Sequence, residues 1–233
     1  MIKLLCYPCA GGSAQMYFKW KKNLSEFVEV VPIELAGRGK RSNEPMYENF
    51  KDMIQDAFIQ TVRLIDNDTS YILLGFSMGA ILAYEVYQLL RKQGIKEPLH
   101  IFILGREAPD CKIKKIGDLP DDLFLKEIIS YDGIPKEIYD NKNFLRFFIG
   151  TLRNDFRLLE SYENLTPSKI LIPVSVLWGR KDKSIRQDQM KNWKQICPDC
   201  NFFNYDGGHF FINSSEEQVL MTIKSIINEI GRR

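Results

Sequence analysis

The chain has 233 residues, 45% hydrophobic and 27% charged, a balance that excludes a disordered or fibrous protein and suits one folded unit with a sizeable core. Its 32 Lys and Arg against 30 Asp and Glu leave a formal charge of +2, too small for nucleic-acid binding by bulk electrostatics, so a charged partner has to meet a local patch. No apolar run approaches the roughly 18–20 residues of a membrane span, and the apolar start is too short for a signal peptide and is ended by Pro8, so the expectation is a cytoplasmic protein with neither nucleic-acid nor membrane partner.

The first β-rich run, Ile2 to Tyr7, leads into the glycine-rich turn Pro8-Cys9-Ala10-Gly11-Gly12. A second run, Val28 to Leu35, precedes Gly37-Arg38-Gly39-Lys40-Arg41, whose cations fit either a docking patch or a solvated basic turn. Phe50, Ile54, Ala57, Phe58, Thr61 and Ile65 then recur at spacings of three and four, the stripe of an amphipathic helix. Next comes the strand Tyr71 to Phe76, and after it Gly75-Phe76-Ser77-Met78-Gly79 running into a helix that stops near Gly94. In a strand-turn-helix setting G-x-S-x-G is a nucleophile elbow: the strained turn projects the serine hydroxyl beyond the sheet, and both glycines are needed because backbone crowds them. The run Leu99 to Leu104 holds His100 as a satisfied strand histidine.

The stretch from about Cys111 to Thr166 has helical patterns and no convincing strand, which predicts a helical lid inserted into a single domain spanning 1–233. Phe144, Phe147, Phe148, Leu152, Phe156 and Leu159 give its longest helix an apolar face, to line a substrate chamber or to pack on the body. Beyond it, Val174 to Trp178 and Asn201 to Tyr205 complete the strands. Apolar strands alternating with helices predict an α/β fold with a mostly parallel sheet, helices on both faces and ligands beyond the carboxyl ends of the strands.

Serine becomes a nucleophile only when a base takes its proton. Of the two histidines, His209 lies in the loop Asp206-Gly207-Gly208-His209 after the last strand and is the expected base. Asp182, directly after Val174 to Trp178 and its turn, is the expected orienting carboxylate, with Asp188 and Asp206 as rivals. The order Ser77, Asp182, His209 is that of α/β-hydrolases. Acyl transfer also needs donors for the oxyanion, expected from the amides of Met78 and Ala10, with Cys9 next. No cofactor or metal is implied by this chemistry. Cys6-Tyr7-Pro8-Cys9 and Cys197-Pro198-Asp199-Cys200 admit a zinc or redox reading, but reduced cysteines used as small hydrophobes, with Cys111 left over, are the plainer one.

The chain resembles the type II thioesterases that accompany nonribosomal peptide and polyketide synthases, over nearly its whole length. The resemblance rests on Pro8-Cys9-Ala10-Gly11-Gly12-Ser13, Gly37-Arg38-Gly39-Lys40-Arg41, Gly75-Phe76-Ser77-Met78-Gly79-Ala80, Gly105-Arg106-Glu107-Ala108-Pro109, Leu152-Arg153-Asn154-Asp155-Phe156 and Gly207-Gly208-His209-Phe210-Phe211. It implies an α/β-hydrolase with a helical lid that removes stalled acyl groups from the phosphopantetheine of carrier proteins and uses Ser77, Asp182 and His209 with an oxyanion hole at Ala10 and Met78; the expected state is a monomer, on which the sequence itself is silent. Carrier proteins are generally acidic, and Lys112, Lys114 and Lys115 at the lid entrance are candidates to meet them. The chain departs from the family at Phe76 and Cys9, where histidine is common, and at Ala36, where proline is usual. Competing readings are a medium-chain fatty acid synthase thioesterase, a small-molecule carboxylesterase, and a non-catalytic module that holds an acyl carrier.

Overall fold

In the computed structural model, which describes residues 1–131 and 142–232, with side chains of the second stretch from Phe148 onward, each of the six apolar runs forms a strand. These are β1 (Ile2–Tyr7), β2 (Val28–Pro32), β3 (Tyr71–Phe76), β4 (Ile101–Leu104), β5 (Val174–Gly179) and β6 (Cys200–Tyr205). They make one parallel sheet in the order β2-β1-β3-β4-β5-β6. The β2 run stops pairing at Pro32, three residues before its apolar stretch ends, although Ile33 N–H still donates to Cys6 O at 2.9 Å.

Alternate strand residues feed two cores. Leu5, Tyr7, Leu73, Ile101, Ile103, Val174 and Val176 pack under α2 (Phe50–Leu64) and α3 (Met78–Lys92). Leu4, Cys6, Ile72, Leu74, Phe102 and Leu177 pack on the other face, under the segment around Tyr17 and Trp20 and under the C-terminal helix Glu216–Gly231. A sheet covered on both faces explains why its strands are continuously apolar. The α2 stripe buries Phe50, Met53, Ala57, Phe58 and Thr61, and Asn49 caps its start by accepting from Asp52 N–H at 2.9 Å.

Between β4 and β5 lie α4 (Asp121–Ser130) and α5 (Lys142–Glu160). Of the apolar face expected on α5, Leu152 and Phe156 pack with Ile116, Phe124, Ile128 and Tyr131, and the side chains of Phe144 and Phe147 lie outside the described residues. Among the described residues no helix is long and apolar enough to cross a membrane.

The β3-to-α3 connection fixes the geometry of the site. A Cβ at Gly75 would sit 2.0 Å from Gly79 O, and one at Gly79 would sit 2.2 Å from Tyr7 O, so only glycine lets the turn fold back against the end of β1. Gly75→Ala is expected to lower stability by about 1–3 kcal/mol, as overpacking against a backbone that cannot yield; a shift of the urea midpoint at constant m-value is the measurement.

Candidate active site

Ser77 sits between β3 and α3 with φ 55°, and among the described residues it is the one non-glycine at positive φ. A side chain held there costs on the order of 1–3 kcal/mol and persists because the surroundings over-determine it. Here Ser77 N–H donates to Leu104 O at 2.7 Å and Ala80 N–H donates to Ser77 O at 2.9 Å, which pins the turn from both sides. Met78 is the first residue of α3, so its N–H has no intrahelical acceptor.

His209 and Asp182 come from the loops after β6 and β5 and are both buried, at 8% and 4% exposure. The His209 Nδ1 atom lies 2.8 Å from Asp182 Oδ2 and 2.8 Å from Ser184 Oγ. Ser184 in turn donates to Asp182 Oδ1 from its hydroxyl at 2.6 Å and its N–H at 2.8 Å. With the Ser184 proton directed at the carboxylate, the arrangement places the imidazole proton on Nδ1 and leaves Nε2 to accept one. Burial alone would raise the Asp182 carboxyl, but the bonds from His209 and Ser184 outweigh it and hold the group below the ordinary carboxylate range. Asp182 is therefore ionised at neutral pH. Phe76 stacks on the imidazole, with ring centroids 5.1 Å apart and 29° between planes, so this departure touches the histidine and not the cavity lining.

The rivals fall away by position. Asp206 is exposed and paired with Lys181 at 2.9 Å, and Asp188 is exposed in the first turn of a short helix. His100 lies at the amino end of β4, with Nε2 3.0 Å from Ser175 Oγ, at the opposite end of the sheet from Ser77. Ser184 was not among the expected residues; its only sequence signal is its place two residues after the carboxylate. Ser184→Ala removes a bond to a charged group worth about 1.5 kcal/mol, so kcat is expected to fall about tenfold with KM unchanged.

Ser77, His209, Ala10 and Cys9 open onto one cavity of about 400 Å³, walled by Ile113, Ile128, Leu152, Phe156 and Leu159. The apolar face of α5 thus does both things its pattern allowed, lining the cavity and packing on the body. Cys9 is buried and its thiol is pushed up to about 12, first by burial and then by the Asp155 carboxylate.

Arg38 serves neither a docking patch nor a solvated turn. It is 4% exposed and forks onto Asp155 of α5, with Nη1 to Oδ2 at 2.5 Å and Nη2 to Oδ1 at 2.8 Å. Asp155 Oδ2 also accepts Gly11 N–H at 2.8 Å, and Gly12 O accepts from Arg38 Nη1 at 3.3 Å. One buried ion pair therefore ties the turn after β1 to the insert. Arg41 pairs with Glu44 and Asp56, each at 2.6 Å, while Lys40 is exposed. Ala36 uses the N–H a proline would lack, donating to Tyr47 Oη at 3.0 Å. The two C-x-x-C pairs are held apart by three strands, about 19 Å across the sheet at the usual strand spacing, with Cys6 at the end of central β1 and Cys200 in edge strand β6.

A profile of the Thioesterase domain family matches residues 2–227. Linear gramicidin dehydrogenase LgrE of Brevibacillus parabrevis is 32% identical over 97% of this chain and 88% of its own length. The medium-chain S-acyl fatty acid synthase thioesterase of Homo sapiens is 26% identical over 90% of this chain and 80% of its own. The crystal structure of ClbQ from the colibactin NRPS/PKS pathway superposes with a TM-score of 0.91 at 29% identity, covering 99% of this chain and 98% of that one.

Proposed function

The chain belongs to the thioesterase domain family and is a thioester hydrolase, and from that premise we propose that it clears acyl groups from the phosphopantetheine arm of carrier proteins serving a nonribosomal peptide or polyketide synthase. The observation that carries the reading is the convergence of the Ser77 elbow and the Asp182–His209 pair on one cavity roofed by α5. Ser77 Oγ attacks the thioester carbonyl as His209 Nε2 takes its proton, and the imidazolium that forms is stabilised by Asp182 and passes the proton to the departing pantetheine thiol. Water activated by the same nitrogen then releases the acyl group from Ser77.

The oxyanion is held by the amides of Met78 and Ala10. Gly11 N–H is committed to Asp155, and Gly12 N–H to Cys9 O at 3.0 Å, which supports Ala10 over its downstream neighbours. The α4–α5 insert acts as the lid, and Lys112 and Lys115, both exposed beside it, meet the acidic carrier. Lys114 is tied to Glu127 at 2.6 Å and contributes less.

The test is acyl release from an acyl-phosphopantetheinyl carrier protein and from a matched oxygen ester, with wild type beside Ser77→Ala. Serine-dependent turnover favouring the carrier thioester is expected. A strong preference for the oxygen ester makes the protein an esterase, turnover restricted to medium-length chains makes it a fatty acid thioesterase, and carrier binding without turnover makes it a binding module.

A further inference from the structure

Arg106 follows β4 at the carboxyl edge of the sheet and lines the same cavity as Ser77 and His209. It is 9% exposed, and among the described residues its Nε is the one buried side-chain nitrogen or oxygen with no hydrogen-bond partner. Its backbone is fixed, since Arg106 O accepts from Trp193 Nε1 at 2.8 Å. The carboxylate beside it is already occupied: Glu107 Oε1 accepts from Arg186 N–H at 2.9 Å and Arg186 Nε at 3.3 Å. A guanidinium cannot shed its charge at any accessible pH, and a buried cation without an acceptor is far costlier than a neutral side chain of the same size. Lys112, Lys183 and Arg186 stand exposed at the rim of the same cavity, with Arg186 paired to Glu107, so Arg106 is the buried cation set among its apolar walls.

We propose that Arg106 is an acyl-recognition residue and that the preferred acyl groups carry a carboxylate near their distal end, that is, half-thioesters of short dicarboxylic acids. The carboxylate supplies a planar pair of acceptors for the guanidinium edge that carries the unpartnered Nε, while the methylenes between it and the thioester rest on Leu152, Phe156 and Leu159. This rests on the thioesterase reading of the cavity and refines its substrate class. The other anion such a substrate could bring is the phosphate of the pantetheine arm. Exposed Lys112 and Lys183 at the cavity suit that group, whereas Arg106 is buried in the lining that Ser77 and His209 share.

The experiment compares succinyl and pentanoyl N-acetylcysteamine thioesters, which carry no phosphate, and succinyl coenzyme A, using wild type, Arg106→Met and Arg106→Lys. Wild type is expected to favour succinyl over pentanoyl by tenfold or more in kcat/KM. Arg106→Met should lose that preference through a KM raised far more for succinyl than for pentanoyl, with circular dichroism and Tm reporting a folded enzyme; Arg106→Lys should keep part of it. Equal loss on both acyl groups in Arg106→Met, or no succinyl preference in wild type, overturns the proposal. An effect confined to the coenzyme A thioester also overturns it and assigns Arg106 to the phosphate. Absence of turnover on every thioester, a succinyl-phosphopantetheinyl carrier protein run alongside included, would instead sink the proposed function itself, so the two failures are distinguishable.

Discussion

Replacing His209 with alanine is expected to lower kcat for thioester hydrolysis by about 10⁴- to 10⁶-fold, the range for removing a member of a serine triad that acts as a unit. Nδ1 is held by Asp182 and Ser184, so Nε2 is the nitrogen available to move the proton in both half-reactions, and among the described lining residues the one other carboxylate, Glu107, is taken up by Arg186. The control is His100→Gln, which disturbs a contact with Ser175 at the amino end of the strands and should leave kcat at the wild-type value even if the melting temperature falls. Single-turnover measurements with an acyl carrier separate the steps: His209→Ala should abolish both the burst of acyl-enzyme and its decay. Comparable losses in the two histidine variants would remove His209 from the base role.

The second large effect is on stability. Asp155→Ala leaves Arg38 buried at 4% exposure without a counter-charge and strips Gly11 N–H of its acceptor. Breaking a buried pair from one side costs about 3–5 kcal/mol, which for a chain of this size lowers Tm by roughly 10 °C. Replacing both partners, as Arg38→Met with Asp155→Leu, should recover most of that loss, because an apolar pair fills the space without desolvating charge. It cannot restore the acceptor for Gly11 N–H. Calorimetry and kcat on the same samples therefore separate two roles: a double variant with restored Tm and depressed kcat means the pair positions the turn that carries Ala10, and full recovery of both means it only holds the fold together.

The strands and the elbow were legible because their causes are local. A strand covered on both faces has to be apolar along its length, and a turn in which a Cβ on Gly79 would sit 2.2 Å from Tyr7 O has to keep glycine. That His209 and not His100 would meet Asp182 was legible by elimination in a chain with two histidines. Arg38 was not, since an arginine between glycines looks like surface, and its partner lies 117 residues away. The signal was on the other side of the pair: Asp155 sits on the stripe of Leu152, Phe156 and Leu159, where a charge facing the core needs an opposite one. Ser184 gave no such sign, because a serine near an aspartate is commonplace and only the loop geometry turns its hydroxyl to both Asp182 and His209. The role of Phe76 was equally tertiary, for its stacking partner follows it by 133 positions, from 76 to 209.

The buried thiol of Cys9 bears on the fate of the acyl group. A cavity that receives thioesters and contains a cysteine offers an exchange route, in which sulfur captures the acyl chain and forms a second thioester no easier to clear than the first. That route needs thiolate. With its thiol pushed up to about 12 by burial, Cys9 stays protonated at neutral pH, so a sulfur can stand beside the proposed oxyanion turn without diverting acyl groups onto it, and thiol-directed alkylating reagents should leave turnover intact.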